Sequence, residues 1–308
     1  MMSSSPSCVG ASRRARAKAC SGSTPKFFSE RMMHMSSTAV IIVTHDSEEV
    51  LEPCLRALKN QVLPPARVYL VDSGSRDPAY LDRIDKAENV VMLPPQDNIG
   101  FARANNAGCR HLEQEMEYVL FLNPDVLLAA DALFLAVQSM RQHERVGVLT
   151  GRLLGYDFRA AQATGLLDST GIYRKWYGRW VDRGQGEVDR GQYALPENIP
   201  AACGALLFCR KNALDQVALA GGAVFDPDFF LYKEDIELCL RLRDKGWLIR
   251  YEPGIRAWHG RGWRQRGEMG LALRRAAAES EIILYRKHPS PYLCWALLKY
   301  LAVRLLKV

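Results

Sequence analysis

The chain has 308 residues, 48% hydrophobic and 24% charged, which is enough to bury the core of one large domain or two small ones. Its formal charge of +7 is uneven: residues 1–35 and 271–308 each carry +5, leaving the body between them at −3. Basic ends on a mildly acidic body argue against a nucleic-acid binder, whose cations belong on the folded face, and fit a catalytic body that touches an anionic membrane surface.

Residues 1–37 are rich in Ser, Arg and Ala and lack hydrophobic periodicity. They read as a disordered basic arm, a transit-like segment, or a translation start set too early, given Met32, Met33 and Met35. From Thr38 the pattern becomes β–α–β. Ala39–Val43 is a continuous apolar strand, and Val50, Leu51, Cys54, Leu55 and Leu58 give helical spacing over 48–61. Val68–Val71 and Val90–Leu93 are further strands, with helical character over 100–115. Val119–Leu122 is a fourth strand and 130–142 a long helix. Apolar strands alternating with helices predict an α/β fold with a single, mostly parallel central sheet covered on both faces. Ligands of such sheets gather beyond the carboxyl ends of the strands, where Thr44, Asp72, Asn98 and Asp125 fall. Residues 151–200 read as an irregular polar and aromatic region. The eight cysteines form no Cys-x-x-Cys pair and read as reduced core residues of a cytoplasmic protein. No uncharged apolar run reaches about 18 residues, so no membrane span is expected.

Five constellations carry chemistry. The turn Thr44-His45-Asp46-Ser47 lacks the glycines of a dinucleotide-binding loop, while Asp72 remains after the second strand. That pair suits a nucleotide held by base and ribose. In Asn98–Gly108, Gly100 and Gly108 bracket a short helix whose interior holds Asn105 and Asn106. Both are poor helix formers, a cost explained if their amides bind a ligand or lock a neighbouring loop. Asn123-Pro124-Asp125 presents two hard oxygens at a strand tip, suited to Mn2+ or Mg2+ whose octahedron is completed by water and phosphate. Glu234 and Asp235 open a helix marked by Ile236, Cys239 and Leu240 and stopped at Gly246. The helix dipole is expected to keep both ionised there, so that one can accept a hydroxyl proton. Finally, Trp258-His259-Gly260 reads as a loop approaching a metal or a diphosphate.

In that order, these segments resemble the family 2 glycosyltransferases, particularly the bacterial rhamnosyltransferase-like branch. The matching residues are Val40–Thr44, Val71-Asp-Ser-Gly-Ser-x-Asp77, Asn98-x-Gly-Phe with Asn106-x-Gly108, Leu122-Asn-Pro-Asp125, Gly204, Phe229-Phe-x-Tyr-x-Glu-Asp235 and His259. The resemblance covers about 38–262 and implies a GT-A fold over 38–270, with C-terminal helices over 271–308. It implies a donor site of Thr44, Asp46, Asp72, Gly74, Asn98, Gly100, Asn106 and Asn123. Asn123, Asp125 and His259 would hold the metal, Asp235 would be the catalytic base, and Glu234 and Trp258 would face the acceptor. Asn123 stands where the general motif has Asp. The family's Phe-Asp-Glu reads Phe225-Asp-Pro227 here, which departs at the acceptor-side acid. Tyr177-Gly-Arg-Trp180 is faintly similar to a processive-synthase motif, but it precedes Glu234-Asp235 and no membrane helices follow.

The implied activity is inverting, metal-dependent transfer from a dTDP- or UDP-sugar, with dTDP-rhamnose favoured. The acceptor would be a glycan or polyprenyl-linked hydroxyl in cell-surface polysaccharide assembly, on the inner face of the cytoplasmic membrane. A degenerate, non-catalytic sugar-nucleotide or glycan binder is the alternative. A nucleotidyltransferase is disfavoured because the first turn has no Gly-rich basic loop. Whether the protein forms a homo-oligomer stays open. Lys299, Arg304 and Lys307 fall within about 140° of one face of the last helix. That face fits an in-plane membrane helix, or equally a helix docked on the domain or in a dimer contact.

Overall fold

In a computed structural model, residues 37–84, 87–260 and 270–306 are described; the expected N-terminal arm and Lys307 lie outside them. Strand β1 (Thr38–Thr44) is apolar throughout its interior and buried on both faces, because it runs down the middle of a ten-stranded sheet. Parallel to it lie β2 (Arg67–Asp72) and β4 (Tyr118–Leu122), with β3 (Val90–Met92) parallel to β2. Two short helices, α1 (Leu51–Lys59) and α2 (Tyr80–Arg83), follow β1 and β2. The predicted spacing of α1 holds, with Leu51, Cys54, Leu55 and Leu58 buried. Helix α3 (Phe101–Cys109) is shorter than its pattern suggests and buries Asn105 and Asn106 along with its alanines.

Beyond β4 the sheet becomes mixed, not mostly parallel as the sequence pattern predicted, because later strands enter antiparallel. Strand β5 (Val126–Leu128) and helix α4 (Ala132–Gln142) lead to β6 (Val146–Asp157) and β7 (Gln162–Ser169), which form a long antiparallel pair. Strands β8 (Ile172–Arg174) and β9 (Trp180–Asp182) form a separate hairpin, and β10 (Glu197–Asn198) marks the far edge. Residues 151–200, expected to be irregular, therefore include the end of β6 and the four strands β7 to β10, joined by turns. Strand β11 (Leu206–Arg210) enters antiparallel between β4 and β6, and α5 (Lys211–Val217) and α6 (Glu234–Asp244) precede β12 (Leu248–His259). The sheet order is β10-β12-β6-β11-β4-β1-β2-β3, with β5 on β12 and β7 on β6. The core is continuous across both halves, from Ile41 and Phe121 to Phe225 and Tyr251.

The six described cysteines form no disulfide with one another. Burial pushes the Cys109 and Cys239 thiols up to about 12 and raises Cys54 and Cys209 further, so these are inert packing groups.

A helical hairpin, α7 (Leu271–Lys287) and α8 (Leu293–Leu306), closes the chain. Polar straps fix it to the body. Ser280 Oγ donates to the Leu231 carbonyl at 2.8 Å, and Lys287 Nζ lies 2.6 Å from Asp226 and 2.7 Å from Asp228. Tyr285 and Tyr292 hydroxyls donate to the Gly178 and Trp176 carbonyls in the turn between β8 and β9. Arg174 lies over the Trp180 and Tyr292 rings. The face of α8 expected to be basic is turned inward: Lys299 pairs with the buried Glu281 of α7. No helix among the described residues is long and apolar enough to cross a membrane.

Candidate active site

The parallel strands bring the donor-side residues to one rim. Thr44 and Asp72 are register partners at the ends of β1 and β2, and Thr44 Oγ1 donates to Asp72 Oδ1 at 3.0 Å. Both are buried, and Asp72 Oδ2 also accepts the Ser75 amide at 3.1 Å. The loop after β2 thereby wraps its own carboxylate, leaving a rigid polar lip at the strand ends.

Several residues expected at the donor are spent on holding these loops. Asp46, at φ 48°, accepts from the amide and guanidinium of Arg76 at 2.8 and 2.7 Å, a charged contact that draws its carboxyl below the ordinary range. Gly74 is required by its φ of +74°, and a Cβ there would lie 2.4 Å from the Asn98 nitrogen. Gly100, at φ +80°, has the Phe230 carbonyl 2.4 Å from where a Cβ would stand. Asn98 is exposed and its Oδ1 accepts the Gly100 amide at 3.3 Å. Asn106 corrects the donor-binding expectation most clearly. Its buried amide accepts from the Val224 and Phe225 nitrogens at 3.0 and 2.9 Å and donates to the Phe225 carbonyl at 2.7 Å. All of its strongest bonds therefore go to the backbone of a neighbouring loop, the second of the two uses its sequence allowed.

At the tip of β4, Asn123 and Asp125 turn into β5, which pairs with the end of β12 so that His259 stands opposite Val126. This register brings the Asp125 Oδ1 to 3.3 Å from His259 Nε2. The other ring nitrogen, Nδ1, is 2.7 Å from Oδ2 of Asp168, a fully buried residue of β7. Burial alone would lower the His259 pKa, but the two carboxylates outweigh it and push it up to about 9. Asp168 was invisible to sequence reasoning, since only folding carries β7 to His259 across 91 positions. Gly260 donates its amide to the Asp125 carbonyl at 2.8 Å, and the Phe158 ring leaves no room for a Cβ there. Trp258, expected toward the acceptor, packs against the core, because adjacent strand residues leave on opposite faces and His259 takes the site side.

The donor set fits a divalent cation. A carboxylate, a nearby amide with no side-chain hydrogen bond among the described residues, and an imidazole backed by a second carboxylate are hard or borderline ligands with a built support layer. Among the described residues no three His, Cys, Asp or Glu side chains converge as a closed cage, so a bound ion would complete its shell from phosphate and water.

The proton-accepting candidate lies across one short backbone bridge. Gly204 donates its amide to Asp235 Oδ2 at 2.8 Å, while the next residue, Ala205, accepts the Asn123 amide at 3.1 Å. Two consecutive residues thus grip the base candidate on one side and the turn bearing Asn123 and Asp125 on the other. Asp235 Oδ1 also accepts the Ile236 amide at 2.8 Å. The helix begins under strain: Tyr232 and Lys233 both have φ of 72°, a left-handed pair costing roughly 1–3 kcal/mol each unless the surroundings impose it. Burial raises both acidic pKa values, against the dipole effect the sequence suggested. Glu234 is buried rather than open to an acceptor, and its Oε2 has no hydrogen-bond partner among the described residues.

The family model for glycosyl transferase family 2 matches residues 39–217. The chain belongs to this family. Among curated relatives, the N-acetylglucosaminyl-diphospho-decaprenol L-rhamnosyltransferase of Mycobacterium tuberculosis is 27% identical over 235 residues, covering 71% of this chain and 75% of its own. The poly-beta-1,6-N-acetyl-D-glucosamine synthase of Staphylococcus aureus is 22% identical, with 73% of this chain and 52% of that protein covered. Among solved structures, GalNAc-T7 with UDP, GalNAc and Mn2+ aligns with a TM-score of 0.65 at 14% identity over 88% of this chain and 51% of that one. The Pyrobaculum calidifontis mannosyltransferase PcManGT with GDP-Man and Mn2+ aligns with a TM-score of 0.56 at 19% identity, over 89% and 71%. The chain thus spans about half the length of the synthase and of GalNAc-T7. The fold is GT-A, as the sequence reading expected. The protein is a family 2 glycosyltransferase.

Proposed function

We propose that this glycosyltransferase moves a hexose, by likeness rhamnose, from a nucleoside diphosphate sugar to a hydroxyl of a lipid-linked or glycan acceptor, with inversion. The observation that carries the reading is the Gly204–Ala205 bridge, which holds Asp235 beside the turn bearing Asn123 and Asp125. The mycobacterial relative's rhamnosyl transfer to a decaprenol-linked substrate supports the choice of sugar and acceptor class.

In this mechanism Thr44 and Asp72 receive the nucleoside at the ends of β1 and β2. The acceptor oxygen attacks the anomeric carbon from the side opposite the diphosphate, the carbon–oxygen bond to the diphosphate breaks, and the hydroxyl proton passes to Asp235. Back-side displacement inverts the anomeric centre. Each Asp235 oxygen already accepts one amide and keeps a further lone pair for the proton. A pKa raised by burial makes the carboxylate a stronger base than one in water. Asn123, Asp125 and His259 would hold Mn2+ or Mg2+, which when bound supplies positive charge to the diphosphate leaving group. Asp168 keeps His259 oriented toward Asp125.

The test is Asp235→Asn. Turnover should fall roughly 10²–10⁴-fold while calorimetric donor affinity stays at the wild-type value. Near-normal transfer by this variant, in an assay supplying donor and acceptor, would remove Asp235 from the chemistry.

A further inference from the structure

Helix α8 is a 14-residue segment with two charges, Lys299 and Arg304, and it is only partly covered by the body. Ala296 and Val303 are buried toward the domain, and Lys299 turns inward to Glu281. The remaining arc stays open: Leu298 is 62% exposed, Leu305 71%, and Trp295, Leu297 and Leu301 are also exposed. At about 100° per residue these positions span roughly half of the helix circumference. The leucines hold its centre, Trp295 lies at one margin and Arg304 at the other.

A second element extends this surface. The turn between β8 and β9 is fastened to the start of α8 by the Tyr292 hydroxyl on the Trp176 carbonyl and by the Tyr292 ring against Gly178. It holds Trp176 out at 86% exposure, beside the exposed Arg174 and Lys175. Across 174–180 and 293–306 there are five Lys and Arg and no Asp or Glu. Leucines at the centre, tryptophans and cations at the rim and no acidic side chain on either element complement a bilayer with anionic headgroups. A helix of this length rises about 21 Å, short of the roughly 30 Å hydrocarbon core, so it lies along the surface.

We propose that the exposed face of α8, together with the Trp176 turn, is a docking surface for an anionic lipid bilayer. The surface stands on its own geometry and does not depend on the sugar or the base assigned above. Docking there would also orient the segment leading into α6 relative to the membrane, because Ser280 of the same hairpin holds the Leu231 carbonyl three residues before Glu234.

The experiment is co-sedimentation of the full chain with vesicles of phosphatidylcholine alone or phosphatidylcholine containing phosphatidylglycerol, at low and high salt. The wild type should pellet with the anionic vesicles and be partly released by salt. Leu298→Ser/Leu301→Ser/Leu305→Ser should lower the partition coefficient by at least about 100-fold. Lys175→Gln/Arg304→Gln should lower it by about 30-fold on anionic vesicles and leave neutral vesicles unaffected. All substituted side chains are exposed, so melting temperatures matching the wild type verify folding. Three results would overturn the proposal. One is wild-type protein left in the supernatant with anionic vesicles. Another is a triple variant that pellets like the wild type. The third is a vesicle-free, concentration-dependent dimer abolished by the leucine substitutions, which would make a second copy the occupant of this face.

Discussion

The proposed donor and acceptor sides of the site are built by different means. On the donor side, Thr44, Asp72 and Asn123 sit at or just beyond the ends of adjacent parallel strands, and ladder register alone brings them together. On the acceptor side, Asp235 follows two left-handed residues, at the head of a helix whose surroundings are held by straps from elements far away in sequence. Asp72 and Asp125 have side-chain partners at hand, whereas Asp235 is held, among the described residues, by backbone amides alone and lies desolvated beside Glu234. A site placed by regular backbone tolerates changes around it. One placed by strain and burial depends on each contact that imposes the geometry.

That contrast can be broken at its hinge. Gly204→Val places branched bulk where a Cβ would already lie 3.3 Å from the Asp235 carboxylate. Displacing the base by about 1 Å should lower kcat by roughly 100-fold with donor affinity unchanged; a parallel loss of donor affinity would show that the two sides are not separable. Asp168→Asn removes the charge behind His259 and should weaken Mn2+ binding 10–100-fold, read by metal titration of donor-dependent activity, with metal-free nucleotide binding retained. Asn106→Ala leaves two amides and a carbonyl of the 224–225 loop unpaired. It should cost about 3 kcal/mol of stability, seen as a melting temperature lower by roughly 5–10 °C, with little change in donor KM.

A further test concerns pH. A carboxyl whose folded pKa is raised favours the fold when protonated, and that contribution is lost as pH rises from the ordinary carboxylate range through the raised value. Wild-type stability should therefore carry a falling limb in this window that Glu234→Gln flattens. Identical melting-temperature profiles for the two proteins would show that Glu234 does not ionise at a cost inside the fold.

The sequence was most readable where structure is local. The apolar runs at β1, β2 and β4 and the stripe of α6 located these elements to within a residue or two, because burial on both faces writes itself as continuous hydrophobicity. Asp168 had no signal, since its meaning comes only from β7 folding against β6 and the end of β12. Asn106 was legible as unusual but not in purpose, because an amide that binds ligand and one that binds backbone look alike in sequence. Residues 151–200 hid their strands because much of β7 is solvent-facing, and Gly165, at φ +75°, interrupts its alternation. Between the two uses the C-terminal basic face allowed, the sequence could not choose for a related reason: the partner of Lys299 is a buried carboxylate on the preceding helix.

The placement of β12 has a consequence for synthesis on the ribosome. This strand lies between β10 and β6 and also receives β5, yet its residues come about 90 positions after β6 is complete. At about 5–20 residues per second, β6 waits several seconds or more with an apolar edge unpaired. A stalled or truncated nascent chain ending near 217 would have the whole matched family segment but an open, sticky half-sheet, making it a natural client for a chaperone at the tunnel exit.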